Sequence, residues 1–192
     1  MRTLQGHRRE IYALECSADG RTLVSASGDR TIRLWDMATI LDPNTEPTHR
    51  LLVPPEGHNK SNVAFTSVAI AEYASREYVA SGSLDGGVRV WDATPGGPCE
   101  VVQILSEHAD SVYGVKFIFG LRSGLGIVTG SLDKTLKKWE LDVSGENGET
   151  ACVKTFKGHK VIELIFYNPF LLMVSVTGCR SCYISSARRT EL

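Results

Sequence analysis

A concentration of charge of one sign is the first thing missing from this sequence. It contains 21 Lys+Arg and 22 Asp+Glu, a formal net charge of -1 at pH 7, and the two signs are mixed along the chain. Binding to nucleic acid or to an anionic membrane surface depends on a clustered basic surface. We therefore expect neither partner. The 42% hydrophobic and 22% charged residues indicate an ordinary folded globular protein.

A long hydrophobic run is missing as well, and no secretory signal is expected. The most apolar stretch, residues 161–178, is interrupted by Glu163 and by Asn168 and Pro169. Its uninterrupted parts are shorter than the roughly 20 residues that cross a bilayer. Cysteine is sparse and odd in number, with five residues and no secretory signal before them. These features predict no transmembrane helix and a reducing, intracellular compartment.

The sequence does contain a cassette of 14 residues that recurs three times, at residues 23–36, 79–92 and 127–140. In every copy an aspartate stands six residues before a tryptophan; the pairs are Asp29 and Trp35, Asp85 and Trp91, and Asp133 and Trp139. The tryptophans are 56 and then 48 residues apart, more than the roughly 40 to 45 residues common for repeats of this kind. We place the extra residues in loops, at residues 38–48, 58–65 and 142–150.

Each cassette predicts a β-hairpin, in which a short apolar strand, a turn built on Gly and Asp, and an alternating strand follow one another. One further strand is predicted before each hairpin and one after it. The preceding strands are residues 10–16, 65–71 and 111–119, and the following strands are residues 49–53, 100–105 and 152–156. Four strands per repeat are typical of a β-propeller blade. The expected fold is all-β, an incomplete propeller with three full four-stranded blades, a partial fourth and almost no helix.

A histidine precedes each cassette, and a Ser or Thr stands inside it. Asp can accept a hydrogen bond from the imidazole, the imidazole can meet the hydroxyl, and the hydroxyl can meet the indole N–H. We call such a chain of four side chains a blade staple and predict that its role is structural. The predicted staples are His7, Ser25, Asp29 and Trp35; His58, Ser81, Asp85 and Trp91; and His108, Thr129, Asp133 and Trp139.

Two chemical alternatives use some of the same residue types. Ser, His and Asp also form the nucleophilic triad of hydrolases, but an active site occurs once and needs an exposed serine with oxyanion donors. This trio occurs three times, with a tryptophan for each hydroxyl. Cys179 and Cys182 have the spacing of a redox or zinc pair, but no second pair accompanies them and His159 is distant in sequence. We therefore predict no enzyme activity, no metal, no cofactor and no small-molecule substrate.

The Gly-His, Ser-x-Ser-x-Asp and Trp-Asp motifs resemble the WD40 repeat family over residues 1 to about 160. The order of several strings is also similar to the C-terminal propeller of fungal Tup-type, Groucho-like transcriptional corepressors. The strings are Arg2-Thr-Leu-Gln-Gly-His7, Ile11-Tyr12, Ser27-Gly-Asp-Arg-Thr31, Gly82-Ser-Leu-Asp85, Asp110-Ser-Val-Tyr113 and Gly130-Ser-Leu-Asp-Lys-Thr-Leu-Lys137. This resemblance implies a nuclear scaffold that is recruited by DNA-binding repressors, joins other corepressor subunits and does not itself contact DNA.

The resemblance also implies a partner-binding face built partly from tyrosines at the start of a blade's first strand, here Tyr12 and Tyr113. Leu84 and Leu132, each one residue before a turn aspartate, are the other candidates. Exposed aromatic and apolar side chains on a loop face suit peptide docking, although the four could instead pack against their neighbours. The alternative function is a WD40 scaffold of another pathway, a ubiquitin-ligase substrate receptor or a signalling β-subunit, which would extend the location to the cytoplasm.

We divide the chain into propeller blades over residues 1–160 and an atypical tail over residues 161–192. The blades are expected at about residues 8–53, 57–105 and 108–156, with residues 1–7 as the outer strand of a preceding blade. The tail has no Ser-x-Ser-x-Asp motif and no tryptophan, which indicates an altered reading frame or a retained intron and a truncated gene product. Three blades do not close a ring, so the outer blades should expose apolar faces and open strand edges.

Overall fold

The computed structural model describes residues 3–54, 64–120, 124–142 and 152–157 with their side chains, and beyond residue 157 it describes the backbone of three strands. Three antiparallel sheets contain four strands each, hydrogen-bonded in chain order. Sheet 1 is β1 (Ile11–Cys16), β2 (Thr22–Ser27), β3 (Ile32–Asp36) and β4 (His49–Leu52). Sheet 2 is β5 (Phe65–Tyr73), β6 (Arg76–Ser83), β7 (Val88–Asp92) and β8 (Glu100–Leu105). Sheet 3 is β9 (Val112–Phe119), β10 (Leu125–Ser131), β11 (Thr135–Glu140) and β12 (Cys152–Lys157).

A fourth sheet has three described strands, β13 (Glu163–Phe166), β14 (Leu171–Ser175) and β15 (Ile184–Ser185). The predicted fold class, with three four-stranded blades and a partial fourth, is therefore confirmed. The predicted strand at residues 100–105 is found with those bounds, whereas β5 continues past the predicted residue 71 to Tyr73.

One short helix, α1 (Met37–Leu41), stands at the start of the loop predicted over residues 38–48. The prediction of a loop without secondary structure was wrong at this point. Asp36 ends β3 and also caps the helix, because its side chain accepts a hydrogen bond of 2.9 Å from the backbone N–H of Ala38. Asp is among the preferred residues for this position, so the chain turns directly from strand into helix.

The turn between the second and third strands has the same conformation in all three sheets. The residue after the turn aspartate has a positive φ, 72° at Arg30, 79° at Gly86 and 66° at Lys134. An aspartate side chain that bonds the backbone two residues on stabilises such a turn, and the three bonds are Asp29 to Thr31 N (2.9 Å), Asp85 to Gly87 N (2.8 Å) and Asp133 to Thr135 N (2.8 Å). Gly86 has a second reason to be glycine, because a Cβ there would lie 2.8 Å from the carbonyl oxygen of His108.

Consecutive sheets pack face to face around buried apolar layers. In both layers a tryptophan faces the preceding sheet: Trp91 packs toward sheet 1 and Trp139 toward sheet 2, and both are fully buried. The first strands are neighbours, with β1 beside β5 and β5 beside β9. On the opposite side of sheet 1 Trp35 lines a groove, and Ile11 and Leu14 beside it are more than half exposed.

Gly82 in β6 provides a test of the packing between sheets 2 and 3. A methyl group there would come within 2.5 Å of the Ser67 hydroxyl and 2.6 Å of a Val112 methyl group. We expect Gly82→Ala to lower the free energy of unfolding by about 1 to 3 kcal/mol. The added methyl group would push against Ser67 in β5 and Val112 in β9, and moving either strand away would break packing contacts between sheets 2 and 3. Chemical denaturation followed by tryptophan fluorescence measures the change. Ala18→Ser, which adds one atom at an exposed turn, should have no comparable effect, and equal losses in both variants would contradict the packing.

Candidate functional site

The staple residues of sheet 1 form one continuous chain of hydrogen bonds. His7 Nδ1 lies 2.8 Å from an Asp29 carboxylate oxygen, and His7 Nε2 lies 2.7 Å from the Ser25 hydroxyl. The Trp35 indole N–H donates to the same hydroxyl at 2.9 Å. A carboxylate can only accept, so Nδ1 donates to Asp29, and the Ser25 hydroxyl, which accepts from Trp35, donates to Nε2. The four side chains of this staple thereby satisfy one another's polar atoms.

Sheet 3 repeats the arrangement with almost the same distances. His108 Nδ1 lies 2.7 Å from Asp133, His108 Nε2 lies 2.7 Å from the Thr129 hydroxyl, and Trp139 donates to that hydroxyl at 2.9 Å. The imidazole stands edge-on to the indole, with ring centroids 6.3 Å apart. The structure therefore brings together all four predicted residues in sheets 1 and 3.

Sheet 2 has a different partner for its aspartate. His58 lies outside the described residues, and Asp85 forms a 2.9 Å ion pair with Arg89, whose side chain is buried. Arg89 also donates to the Ser83 hydroxyl at 2.9 Å. The bond from Trp91 to the Ser81 hydroxyl is present at 3.0 Å. Sequence reasoning missed the role of Arg89. Every cassette has a basic residue four places after the turn aspartate, so this position does not distinguish sheet 2 in the sequence. Of these three basic residues, Arg89 is the one that pairs with its aspartate.

Hydrogen bonds control the charge states of these groups. Burial alone would raise the pKa of Asp133, but bonds from Thr135, His108 and the Ala109 backbone outweigh it and hold the pKa at about 2. The pKa of Asp29 is lowered in the same way, against burial, by Thr31, Arg8 N and His7. Burial lowers the pKa of His108, and the attraction of Asp133 does not offset it. Neutral histidine beside ionised aspartate is therefore the stable state of sheet 3 near pH 7.

The staples hold together one edge of the molecule, which we call the turn face. It consists of the β2–β3, β6–β7 and β10–β11 turns together with the described residues just before the first strands, 8–10, 64 and 108–111. One backbone hydrogen bond recurs there in each sheet, from the residue before the turn aspartate to the segment that leads into the first strand. The three bonds are Gly28 N to Glu10 O (2.9 Å), Leu84 N to Ala64 O (3.1 Å) and Leu132 N to Ser111 O (2.9 Å). Backbone and staple together make the turn face rigid.

A β-bulge at the start of each first strand places one residue outside the pairing register. The unpaired residues are Tyr12 in β1, Thr66 in β5 and Tyr113 in β9. A bulge redirects a side chain, and the tyrosines are 52% and 46% exposed. Thr66 instead is buried, and its hydroxyl donates to the carbonyl oxygens of Gly82 and Val112. The bulges could not be recognised in the sequence, because an extra strand residue does not disturb the cassette.

The other two predicted binding residues also lie on the turn face. Leu84 is 37% exposed and Leu132 51% exposed, each at the tip of its turn. The carbonyl oxygen of Leu84 accepts a 3.0 Å bond from the Ser111 hydroxyl, which joins the turn of sheet 2 to the start of sheet 3. Four exposed apolar or aromatic side chains therefore share one hydrogen-bonded edge.

Neither a metal centre nor a membrane helix is found in the part of the chain that the structure describes. No three His, Cys, Asp or Glu side chains there are placed to hold an ion. The helix within the same part has five residues, and none is long and apolar enough to span a bilayer. Cys179 and Cys182 lie outside the described residues.

Thr129→Val tests the staple of sheet 3. Valine keeps the shape of threonine but leaves the Trp139 indole N–H and His108 Nε2 buried without a partner. We expect a loss of about 2 to 4 kcal/mol in the free energy of unfolding, since each unsatisfied buried group costs roughly 1 to 3 kcal/mol. Thr129→Ser keeps the hydroxyl and should lose less than half as much. Similar losses for the two variants in urea denaturation would show that the hydroxyl is unimportant.

The pKa shifts predict a loss of stability in acid. The pKa of His108 is below 6.5 in the folded protein, so the unfolded chain binds that proton more readily and stability declines as the pH falls below about 6.5. Asp133, with a folded pKa of about 2 against 3.8, adds stability that is complete above pH 3.8 and disappears as the pH falls toward 2. Urea denaturation at a series of pH values measures both effects. Asp133→Asn should reduce the dependence below pH 3.8 without abolishing it, because Asp29 contributes in the same direction. A stability that is constant from neutral to acid pH would contradict these assignments.

Comparison with known proteins agrees with this architecture. The family model described as WD domain, G-beta repeat matches residues 1–36, 47–92 and 99–140. Among solved structures, the WD40 repeats of RRP9 superpose with a TM-score of 0.62 at 23% identity, covering 83% of this chain and 42% of that one. At that identity the likeness concerns the fold.

Curated relatives of the chain are longer WD-repeat proteins. The nuclear distribution protein PAC1 of Ajellomyces capsulatus is 31% identical over 167 residues, which cover 82% of this chain and 34% of that protein. Protein tipD of Dictyostelium discoideum is 28% identical over 139 residues, 71% of this chain and 19% of that protein. The chain thus spans about a third of the length of PAC1. These relatives are not Tup-type corepressors, so the narrower resemblance stays a prediction. The repeated sheets, their tryptophan centres and the match to the family model establish that the chain belongs to the WD40 repeat family.

Proposed function

We propose that the chain is a protein-interaction scaffold whose turn face binds extended segments of partner proteins. The observation that carries this proposal is the position of Tyr12 and Tyr113 at equivalent β-bulges, each about half exposed on a rigid edge. Tyrosine provides a large contact area with few rotatable bonds and a hydroxyl that can bond a peptide backbone. Leu84 and Leu132 add apolar area at the turn tips of sheets 2 and 3.

Rigidity of the turn face favours binding. A surface that is ordered before it meets its partner loses little conformational entropy on association. Here the staples tie the segments before β1 and β9 to the turns: the backbone N–H of Arg8 donates to Asp29 at 2.9 Å, and that of Ala109 donates to Asp133 at 3.1 Å. The staples therefore support binding indirectly, because they hold the segments before β1 and β9 in position.

The burial of the staple hydroxyls supports a scaffold over a hydrolase. Ser25, Ser81 and Thr129 are at most 1% exposed, and each accepts a hydrogen bond from an indole N–H. A catalytic nucleophile has to reach its substrate, and WD40 propellers generally act as scaffolds without catalysis. Covalent labelling of any of these hydroxyls by a fluorophosphonate probe would contradict the proposal.

The pathway is a separate part of the proposal. The resemblance to Tup-type corepressors supports recruitment by DNA-binding repressors in the nucleus, while the PAC1 relatives carry the name nuclear distribution protein. Ubiquitin-ligase substrate receptors and signalling β-subunits are the other classes of scaffold with this fold. The fold is common to all of them, so the identity of the bound partner decides between the pathways.

Affinity capture with tyrosine variants tests the turn face. We expect Tyr12→Ala combined with Tyr113→Ala to reduce the recovery of specific partners from nuclear extract by at least about tenfold, because aromatic anchors at interface centres contribute roughly 2 kcal/mol or more each. Quantitative mass spectrometry compares the variant with the unchanged chain. Recovery of DNA-binding repressors identifies the corepressor pathway, and recovery of cullin adaptors or membrane receptors identifies the alternatives.

Phe119→Ala is the matched control for this experiment. Phe119 stands at the opposite end of β9 from Tyr113 and is 52% exposed, so its removal changes a similar area at the other edge of the same strand. Partner recovery should be unchanged in this variant. If Phe119→Ala reduced recovery as much as the tyrosine changes did, the turn face would not be the binding surface.

A further inference from the structure

Three arginines stand on the two segments of the turn face that meet at Tyr12. Arg8 and Arg9 lead into β1 and Arg30 follows the turn aspartate, and all three residues are exposed. The Cβ of Arg9, the ring of Tyr12 and the Glu10 carboxylate all lie within 4 Å of a Cβ built on Gly28, so turn and strand start are in contact here. Among the described residues none of the three guanidinium groups has an ion-pair partner. Glu10 and the turn aspartate Asp29 are the acids here, two against three arginines, so the end of the turn face at sheet 1 is basic by one charge.

The other end of the turn face carries more acidic side chains, although Lys134 stands there at the position equivalent to Arg30. At sheet 3 the positions equivalent to Arg8 and Arg9, counted from the staple histidine, are Ala109 and Asp110. Glu107 lies beside them in sequence. Its carboxylate is exposed and forms a loose ion pair with Lys137, with 3.5 Å between Glu107 Oε2 and Lys137 Nζ. Asp110 therefore carries a negative charge where Arg9 carries a positive one, although Tyr12 and Tyr113 occupy equivalent positions in their strands.

We propose that the turn face selects partner segments with acidic side chains at the end that meets sheet 1, next to an apolar residue that packs on Tyr12. This inference rests on the proposed function and specifies its partner class. Arginine recognises carboxylates through two parallel N–H donors, and several such contacts on an exposed surface add to selectivity more than to affinity.

Backbone contacts hold two of these arginines in place. The Arg8 backbone N–H is bonded to the staple aspartate, and the Arg30 N–H donates to Ser27 O at 3.3 Å within the turn. Two of the three arginine side chains therefore extend from backbone positions that hydrogen bonds hold in place. At the sheet 3 end of the turn face, Glu107 and Asp110 repel negative charge. A nucleic acid is negatively charged along its whole length, so a peptide with acidic residues at one end only fits the turn face better.

Selection from a phage library of random dodecapeptides, with the complete chain as bait, tests the charge preference. Enriched peptides should contain two or more Asp or Glu residues beside an apolar residue. A synthetic fluorescent copy of one such peptide should bind about tenfold more weakly to the Arg9→Glu, Arg30→Glu double variant, and its binding should weaken between about 0.05 M and 0.5 M salt as the charges are screened. Arg21→Glu reverses an exposed charge at the β1–β2 turn, outside the turn face, and should change the affinity less than twofold.

The outcomes separate this inference from the proposed function. Enriched peptides that are neutral or basic but lose binding in the Tyr12→Ala, Tyr113→Ala variant would overturn the acidic preference and leave the docking face intact. Acidic peptides that bind the double arginine variant as well as the unchanged chain would also overturn it. Equal competition by a dodecathymidylate oligonucleotide would replace the peptide with a nucleic acid. A library without any enrichment over an unrelated bait would overturn both proposals.

Discussion

The hydrogen bond from a buried indole N–H to a hydroxyl on the neighbouring strand is the interaction on which this structure depends. It measures 2.9, 3.0 and 2.9 Å in sheets 1, 2 and 3. A tryptophan provides the largest apolar area in each sheet, but its N–H costs free energy when it is buried without a partner. The hydroxyl accepts a hydrogen bond from this N–H and so also fixes the register of the two strands. In sheet 1, for example, Trp35 pairs with Leu23 on the neighbouring strand, and the hydroxyl belongs to Ser25, two residues from Leu23.

The polar network around that bond has two forms. In sheets 1 and 3 histidine joins the hydroxyl to the turn aspartate, whereas in sheet 2 the Arg89 guanidinium binds Asp85 and Ser83, and the Ser81 hydroxyl donates to the backbone carbonyl oxygen of Arg89 at 3.4 Å. A buried guanidinium is expensive to desolvate and depends on its ion pair and on neighbouring acceptors. The face of Phe65 also lies 5.9 Å from it. Burial raises the pKa of Asp85, but bonds from Arg89 and Ser83 outweigh it and lower the pKa, so this carboxylate keeps its charge over the range in which the histidine of sheet 3 changes its protonation.

The interior and the turn face are connected through the turn aspartates. Each accepts hydrogen bonds inside the sheet and also bonds the backbone of the loop, so the same carboxylate orders the core and the turn face. The bulges at Tyr12 and Tyr113 direct the aromatic rings outward, from strand starts that are hydrogen-bonded to the turns. At the equivalent bulge of sheet 2, Thr66 bonds to the backbone of Val112 in the next sheet and so contributes to packing between sheets. One local backbone feature thus has two roles, according to the side chain placed on it.

The sequence by itself determined the sheets, because alternating strands, Gly-Asp turns and the six-residue interval from Asp to Trp are local patterns with one common geometry. It also determined the hydroxyl and histidine partners of Trp35 and Trp139, since the motif repeats. Tertiary structure alone decided that Asp85 pairs with Arg89, that bulges expose Tyr12 and Tyr113, and that arginines of two separate segments meet at the turn face of sheet 1. The bulges and the meeting of the two segments depend on contacts between residues distant in sequence. The Asp85–Arg89 pair joins residues four apart, but the equivalent residues of sheets 1 and 3 do not pair, so the surroundings of the turn and not the spacing decide it.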